Sequence, residues 1–208
     1  MSYSSNIFLL AGNTMTEGDE MNLVLSDIPL RLSLPEKGET VYVDLSKLSI
    51  SNCIGCFGCW VKTPGRCVIR DDATKVYPLI AKSRRVIYVS RIYLGGYDTI
   101  MKTMLERAIP IQQAFIRVWN GETHHIQRDV AEKDALIIGY GCDAEEEQDL
   151  FRRLIARNAS NMLFKNWRII FAQEKDLEKL VHEEVCRWRK SSWSMEAQER
   201  QDQTQNTL

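Results

Sequence analysis

The sequence predicts a three-layer α/β domain: a doubly wound, five-stranded parallel sheet in the order 2-1-3-4-5, with helices on both faces. Three observations carry that expectation. Short apolar runs alternate with amphipathic helical patterns along the chain. The intervals between runs are long enough for helical crossovers, which between parallel strands are almost always right-handed. A length of 208 residues with 44% hydrophobic content supplies one substantial core.

The elements follow in order. Ile7 to Ala11 reads as the first strand, and Met21, Val24, Leu25 and Ile28 fall after it at helical spacing. Val41, Val43 and Leu45 alternate with polar neighbours, as in a half-exposed edge strand. From Ala73 to Ala81, Val76, Leu79 and Ile80 share one helical face, and Pro78 is expected to kink or shorten that helix. Val86 to Val89 is a continuous strand of the buried type, and Asp98 caps a helix whose inner face is Met101, Met104, Leu105 and Ala108. Ala135 to Gly139 is the fourth strand. The helix after it opens on Asp143 and Glu145 to Glu147 and carries Arg152, Arg153 and Arg157 later, in keeping with the helix dipole. Its predicted buried stripe is Leu150, Phe151, Leu154 and Ile155. Trp167 to Ala172 is the fifth strand, and Leu177, Leu180, Val181, Val185 and Trp188 form the last amphipathic face. Residues 1–190 read as one domain with a cysteine-rich loop at 52–72, and the polar, Gln-rich end at 191–208 reads as a flexible tail. Five strands so connected give the flavodoxin-like arrangement, which places ligands at the carboxyl ends of the strands around the switch point.

Charge and composition narrow the function. Lys plus Arg number 27 against 28 Asp plus Glu, and no long basic run occurs, so neither nucleic acid nor an anionic membrane surface is an expected partner. The start, MSYSSNIFLLAGNT, has no basic leader region, and no apolar stretch is long enough to cross a bilayer. The expected location is the cytoplasm, where clustered cysteines serve metal binding or redox chemistry more often than structural disulfides.

Residues 52–72, NCIGCFGCWVKTPGRCVIRDD, hold four of the six cysteines. Cys53, Cys56 and Cys59 stand at intervals that let them project toward one centre, and Pro64-Gly65 suits the middle of a type II turn that returns Cys67 to them. Such a set suits a [4Fe-4S] cluster or tetrahedral zinc, and the run of three favours iron and sulfur, because structural zinc sites usually pair two CxxC knuckles. The plainer alternative is a substrate-facing or interface loop without metal, its cysteines acting as small apolar side chains or oxidising to disulfides. Cys142 and Cys186 are isolated and suit core packing.

The segment CIGCFGCWVKTPGRCVIRDD resembles the cysteine segment of the flavodoxin-like superfamily of NADPH-dependent FMN reductases and iron-sulfur flavoproteins. SRIYLGGYDTIMKTMLERAIP is similar to that superfamily's second flavin loop and following helix, and GETHH at 121–125 to a GExHH element of one branch. The resemblance covers roughly Cys53 to His125. It implies FMN as cofactor and NAD(P)H as electron donor, a hydride passing to the flavin and electrons onward to an acceptor of unknown identity. It also implies a [4Fe-4S] cluster on Cys53, Cys56, Cys59 and Cys67 in the iron-sulfur members, and a homodimer whose second subunit completes the flavin pocket. Tyr93, Leu94, Gly95, Gly96 and Tyr97 would line the flavin ring, with Gly139 and Gly141 in the third loop; without the resemblance these read as plain strand-to-helix turns.

One loop departs from the pattern. Where relatives carry G-S-P-R, this chain has Gly12-Asn13-Thr14-Met15-Thr16, with no arginine. Asn13, Thr14 and Thr16 offer donors to a phosphate, Arg91 is an alternative contact, and Glu17, Asp19 and Glu20 would repel a dianion if they faced it. His124 and His125 read as loop residues and, being adjacent, make a poor metal pair. A flavin carries its own chemistry, so the sequence demands no catalytic acid or base. The competing expectation is a flavodoxin-like protein that has lost FMN and serves as a metal-binding, redox-sensing or partner-binding module.

Overall fold

The computed structural model describes residues 21–34, 40–119 and 121–188. In chain order its elements are β1 (Asn22–Ser26), β2 (Thr40–Asp44), the single turn α1 (Gly58–Val61), α2 (Ala73–Lys82), β3 (Arg85–Tyr93), the short β4 (Gly96–Tyr97) and α3 (Thr99–Glu106). A hairpin of β5 (Gln112–Trp119) and β6 (Glu122–Gln127) follows, then β7 (Lys133–Tyr140), α4 (Glu145–Asn161), β8 (Phe164–Ala172) and a last helix, α5, over 177–188. Strands β2, β1, β3, β7 and β8 pair in parallel in that spatial order, the flavodoxin-like arrangement the sequence predicts. Among the described residues, no helix is long and apolar enough to cross a membrane.

The identity of the first strand differs from the expectation. Ile7 to Ala11 lies outside the described residues, and the stretch read as a helix, with Met21, Val24, Leu25 and Ile28, instead contains the interior strand β1, Asn22–Ser26. All five β1 residues are buried, so both faces of the strand are covered. A strand covered on both sides has no polar face to alternate with, and its apolar run is indistinguishable by period from a helical stripe. The edge strand β2 is also buried throughout, where alternation predicted half-exposure. Helix α2 carries Pro78 inside it and continues to Lys82. Asp98 caps α3 as expected, its Oδ1 accepting from the Thr99 amide at 2.6 Å.

Two apolar clusters sandwich the sheet. On one face Leu23, Leu25, Val43, Val86, Tyr88 and Ile137 meet Val76 and Ile80 of α2, Met101 and Met104 of α3, and Phe151 and Ile155 of α4. Leu150, predicted in that buried stripe, is 46% exposed. On the other face Val24, Ile87, Val89, Leu136 and Ile138 meet Leu177, Val181, Val185 and Trp188 of α5. No helix follows β1 among the described residues. Residues 27–34 instead run as an extended strap that buries Leu30 and packs Ile28, Leu32 and Leu34 against the same cluster. The strap is pinned where the Leu30 amide donates to the Tyr42 hydroxyl and the Arg31 amide to Glu178 Oε1, each at 2.8 Å. Full burial of one leucine contributes about 1.5–3 kcal/mol, so a strap of alternating leucines seals this face without helical hydrogen bonds.

The β5–β6 hairpin is absent from the sequence expectation, which has His124 and His125 in a loop. Its signal was present: the dipeptide Asn120-Gly121 separates two runs of strand-forming residues, and Gly121 has φ +79°.

Lys133 is buried at the start of β7, its ammonium donating to the carbonyls of Ala131 and Met162. Burial pushes its pKa down from 10.5 to about 8. A depressed base contributes stability that is fully present above 10.5 and is lost as pH falls through about 8, because in that window the unfolded chain binds the proton and the folded chain does not. Chemical denaturation across this window should show the wild-type protein gaining stability, relative to Lys133→Met, as pH rises; a constant difference would contradict it.

Candidate functional site

The carboxyl edge of the sheet carries the chemistry-bearing residues, and the cysteine segment leaves the end of β2 there. Asp44 accepts from the amide and hydroxyl of Ser46 and turns the chain out of the strand. Gly55 and Phe57 both take positive φ, 65° and 55°, which coils the loop tightly before α1. Gly58 then packs so closely that a Cβ there would stand 2.7 Å from Val68 Cγ1 and 3.4 Å from Cys56 Sγ. The expected turn is present: the Arg66 amide donates to the Thr63 carbonyl at 2.8 Å with Gly65 at φ +81°, and the Gly65 amide reaches the Cys59 carbonyl at 3.0 Å. The turn thereby brings the chain toward Cys67 back beside Cys59.

Arg107 fixes this loop. Its side chain is 1% exposed, and its guanidinium donates to both Asp71 oxygens at 2.6 and 2.9 Å, to the carbonyls of Ser51 and Ile69 at 2.7 and 3.3 Å, and to Cys67 Sγ at 3.4 Å. A planar, multiply donating cation suits that set of acceptors where an ammonium would not. Burial works against the Asp71 carboxylate, but hydrogen bonds from Arg107 and the Ser51 amide outweigh it and hold its pKa below 3.8. Asp72 accepts from the Ser49 amide at 3.0 Å, and the Tyr77 hydroxyl accepts from the Cys67 amide at 3.3 Å. On the other side, Trp60 Nε1 donates to the Gln112 carbonyl at 3.0 Å and its ring stacks on His125, 4.8 Å between centroids.

Cys53 and Cys56 are exposed, and Cys59 and Cys67 are half-buried. Burial raises the Cys59 thiol pKa first, and the neighbouring Cys67, Cys53 and Cys56 raise it further, so Cys59 is the member that senses the other three. Among the described residues, no three His, Cys, Asp or Glu side chains are gathered into a metal-holding group. The loop thus carries four soft donors, Cys59 and three neighbours, not drawn together into a closed cage. In donor chemistry that set fits a [4Fe-4S] cluster.

The crevice where β1, β3 and β7 end is the switch point of the sheet, and it contains a carboxylate. Asp27, directly after β1 and 4% exposed, accepts at Oδ2 from the Arg91 amide at 2.7 Å and the Ser90 hydroxyl at 3.0 Å, and at Oδ1 from the Tyr140 hydroxyl at 2.9 Å. Burial raises the Asp27 pKa above 3.8 despite those bonds, and Asp98 adds to the rise. A phosphate placed about 4 Å from an ionised carboxylate meets roughly 4 kcal/mol of repulsion per unit charge at the effective dielectric of such sites. With an acid in the crevice and no helix N-terminus after β1, the described residues here do not fit a flavin phosphate.

The remaining predicted ligands scatter. Asn13, Thr14 and Thr16 lie outside the described residues. Arg91 gives its amide to Asp27, while its side chain lies over Gly141, φ +73°, where a Cβ would stand 3.2 Å from Arg91 Cγ. Tyr93 and Leu94, 60% and 73% exposed, project from the β3–β4 turn. Gly95, at φ +71°, lets that turn approach Leu150, and Gly96 pairs with Tyr93. Tyr97 is core, edge-on to Phe151, and Gly139 is bare because Ile92 fills its Cβ position. The histidines are strand residues rather than loop residues: His124 is buried on β6 between Asn161 and Glu122, and His125 belongs to the Trp60 stack. Sequence reading missed Asp27 and Arg107; the apolar context of Ser26-Asp27-Ile28 was the only signal for the first.

No family model matches the chain. It is 28% identical over 107 residues to an iron-sulfur flavoprotein of Methanocaldococcus jannaschii, a match covering 51% of this chain and 53% of that protein. It is 36% identical over 72 residues to an iron-sulfur flavoprotein of Archaeoglobus fulgidus, covering 35% and 32% of the two chains, and 34% identical over 68 residues to one of Clostridioides difficile, covering 32% and 29%. The chain therefore spans about half the length of the first of these relatives and about a third of the other two. Among solved structures, an FMN-dependent NADH-azoreductase of Bacillus anthracis in complex with FMN superposes with TM-score 0.51 at 10% identity, covering 80% of this chain and 95% of that one. The azoreductase AzrA gives 0.52 at 9% identity, covering 79% and 92%. At such identities the superpositions establish the fold.

Replacing Arg107 by Met leaves Asp71 without its cation and two loop carbonyls without donors, so a loss of about 3–5 kcal/mol is expected at neutral pH. Asp71, with its pKa depressed, contributes stability present above 3.8 and lost as pH falls through its folded value. The difference between wild type and Arg107→Met in thermal or urea melts should therefore shrink in acid below 3.8; a difference that stays constant would refute the ion pair as its source.

Proposed function

We propose, for a flavodoxin-like chain homologous over part of its length to iron-sulfur flavoproteins, a one-electron transfer protein whose centre is the cysteine loop rather than a flavin at the switch point. Cys53, Cys56, Cys59 and Cys67 would hold a [4Fe-4S] cluster. Such a cluster, when bound, supplies single-electron transfer at a potential set by hydrogen bonds to sulfur and by solvent exposure. The chain's part is positional. Arg107 holds Cys67 by a hydrogen bond to its sulfur, Gly58 keeps the Cys56 turn tight, and the Trp60 contacts brace α1 against the hairpin. Exposed Cys53 and Cys56 put the outer half of the centre at the surface, where an electron partner can approach. The observation that carries the reading is that Cys53, Cys56, Cys59 and Cys67 share one loop whose last cysteine is held by the Arg107 bond to its sulfur.

A second reading, an FMN-dependent NAD(P)H oxidoreductase, is favoured by one observation: Tyr93 and Leu94 stand exposed at the carboxyl end of β3, where a ring would rest. Against it stands Asp27 in the phosphate position.

Anaerobic purification with iron and sulfide reconstitution separates the two. The first reading expects about four irons per chain and a broad brown absorbance, both lost in Cys56→Ala, with no flavin retained after incubation with FMN and desalting. A colourless, iron-free protein would overturn it, and stoichiometric FMN in place of iron would establish the second.

A further inference from the structure

We propose that Asp27 is an internal substitute for a ligand's phosphate: its carboxylate takes the anion position at the switch point, bars phosphorylated cofactors from it, and on removal uncovers an anion site. This stands independently of what the cysteine loop holds, since no residue is shared.

The geometry is that of anion recognition with the anion supplied by the chain itself. The Arg91 amide lies 2.7 Å from Oδ2, a short charge-assisted bond, and the Tyr140 hydroxyl 2.9 Å from Oδ1. The Ser90 hydroxyl adds a third contact at 3.0 Å, with the Arg91 carbonyl, also at 3.0 Å, as its alternative acceptor. These donors come from the ends of β3 and β7 and converge on a residue that directly follows β1, so all three central strands are tied at one point. Ser90 is fully buried and Tyr140 nearly so, which leaves their hydroxyls no solvent to turn to. If Asp27 were absent, two or three donors would be orphaned in a low-dielectric crevice, a situation that favours recruitment of an anion. The Arg91 side chain, over Gly141, would add positive charge at the rim, while Asp98 and Glu174, both close enough to act on this network, would limit the gain.

A plain structural acid would be expected to reach solvent or a cation. This one does neither: its described hydrogen-bond partners are an amide and two hydroxyls. The same donor types bind phosphate oxygens in anion sites at strand ends.

Titration of wild type, Asp27→Ser and Asp27→Asn with FMN, with riboflavin as the phosphate-free control, tests the proposal through quenching of flavin fluorescence. Wild type should bind FMN no better than riboflavin. Asp27→Ser should gain roughly 100-fold in FMN affinity, with riboflavin unchanged and with inorganic phosphate competing. Asp27→Asn, which keeps the shape and removes the charge, should gain less, and it carries the test if the serine variant does not melt cooperatively. Preference of wild type for FMN over riboflavin, equal FMN affinity in wild type and both folded variants, or failure of phosphate to compete would each overturn the assignment.

Discussion

A fully buried guanidinium is tolerable only when most of its donors are matched, and Arg107, paired at both terminal nitrogens with Nε left without a partner, determines how the cysteine loop sits on the domain. Its acceptors all come from the segment between Ser51 and Asp71, while Arg107 itself closes α3, whose Met101 and Met104 are anchored in the main apolar cluster. The loop has little apolar side-chain burial of its own, with Ile54, Phe57 and Val61 exposed. Its order is thus borrowed: a rigid helix end projects a cation, and the loop folds around that cation to satisfy its own carbonyls and Asp71. Desolvating the pair is costly in isolation, which is why such a pair serves to specify one geometry more than to add stability.

At the neighbouring position along the same edge the constraint is of the opposite sign. A doubly wound sheet ordinarily leaves its switch point open because the crossover helices on either side diverge there. Among the described residues after β1 there is instead the strap 27–34, which seals the second apolar cluster with leucine side chains and places its first residue, Asp27, at the strand ends. The sheet order is kept all the same, because strand pairing and face burial do not require a helix in that stretch. Anion binding at a switch point draws on a helix N-terminus and free amides, and here the Arg91 amide is already given to Asp27 of the strap. Fold and ligand capacity are separable properties.

The sequence made the sheet legible and half of the site. Four of the five parallel strands, the Asp98 cap and the Thr63–Arg66 turn were readable because each rests on local chemistry: a continuous apolar run, a carboxylate before a helix, a Pro-Gly pair. The interior strand β1 was misread because burial on both sides erases the alternation that marks a strand. The hairpin has a local signal, Asn120-Gly121 between two strand-forming runs, but its two arms lack the strict alternation that marks a half-buried strand. Asp27 and Arg107 were beyond reach for a different reason. Each matters through partners far away in sequence, Tyr140 for the one and Asp71 for the other, and no local pattern encodes a contact of that kind.

The two sites share no described hydrogen bond, and the link between them runs through α3: Asp98, whose amide donates to the Arg91 carbonyl at 3.0 Å, caps the start of the helix that Arg107 closes. The Asp27 network draws on β1, β3 and β7; the Arg107 network draws on α3 and the loop after β2. Neither network supplies an acceptor to the other, so a change at one removes no partner of the other directly, and any coupling between them passes along α3. The Asp27 carboxylate and the acceptors around Arg107 are therefore satisfied by separate donors. Were one residue to donate into both networks, replacing it would orphan buried groups at the switch point and beside the cysteines together.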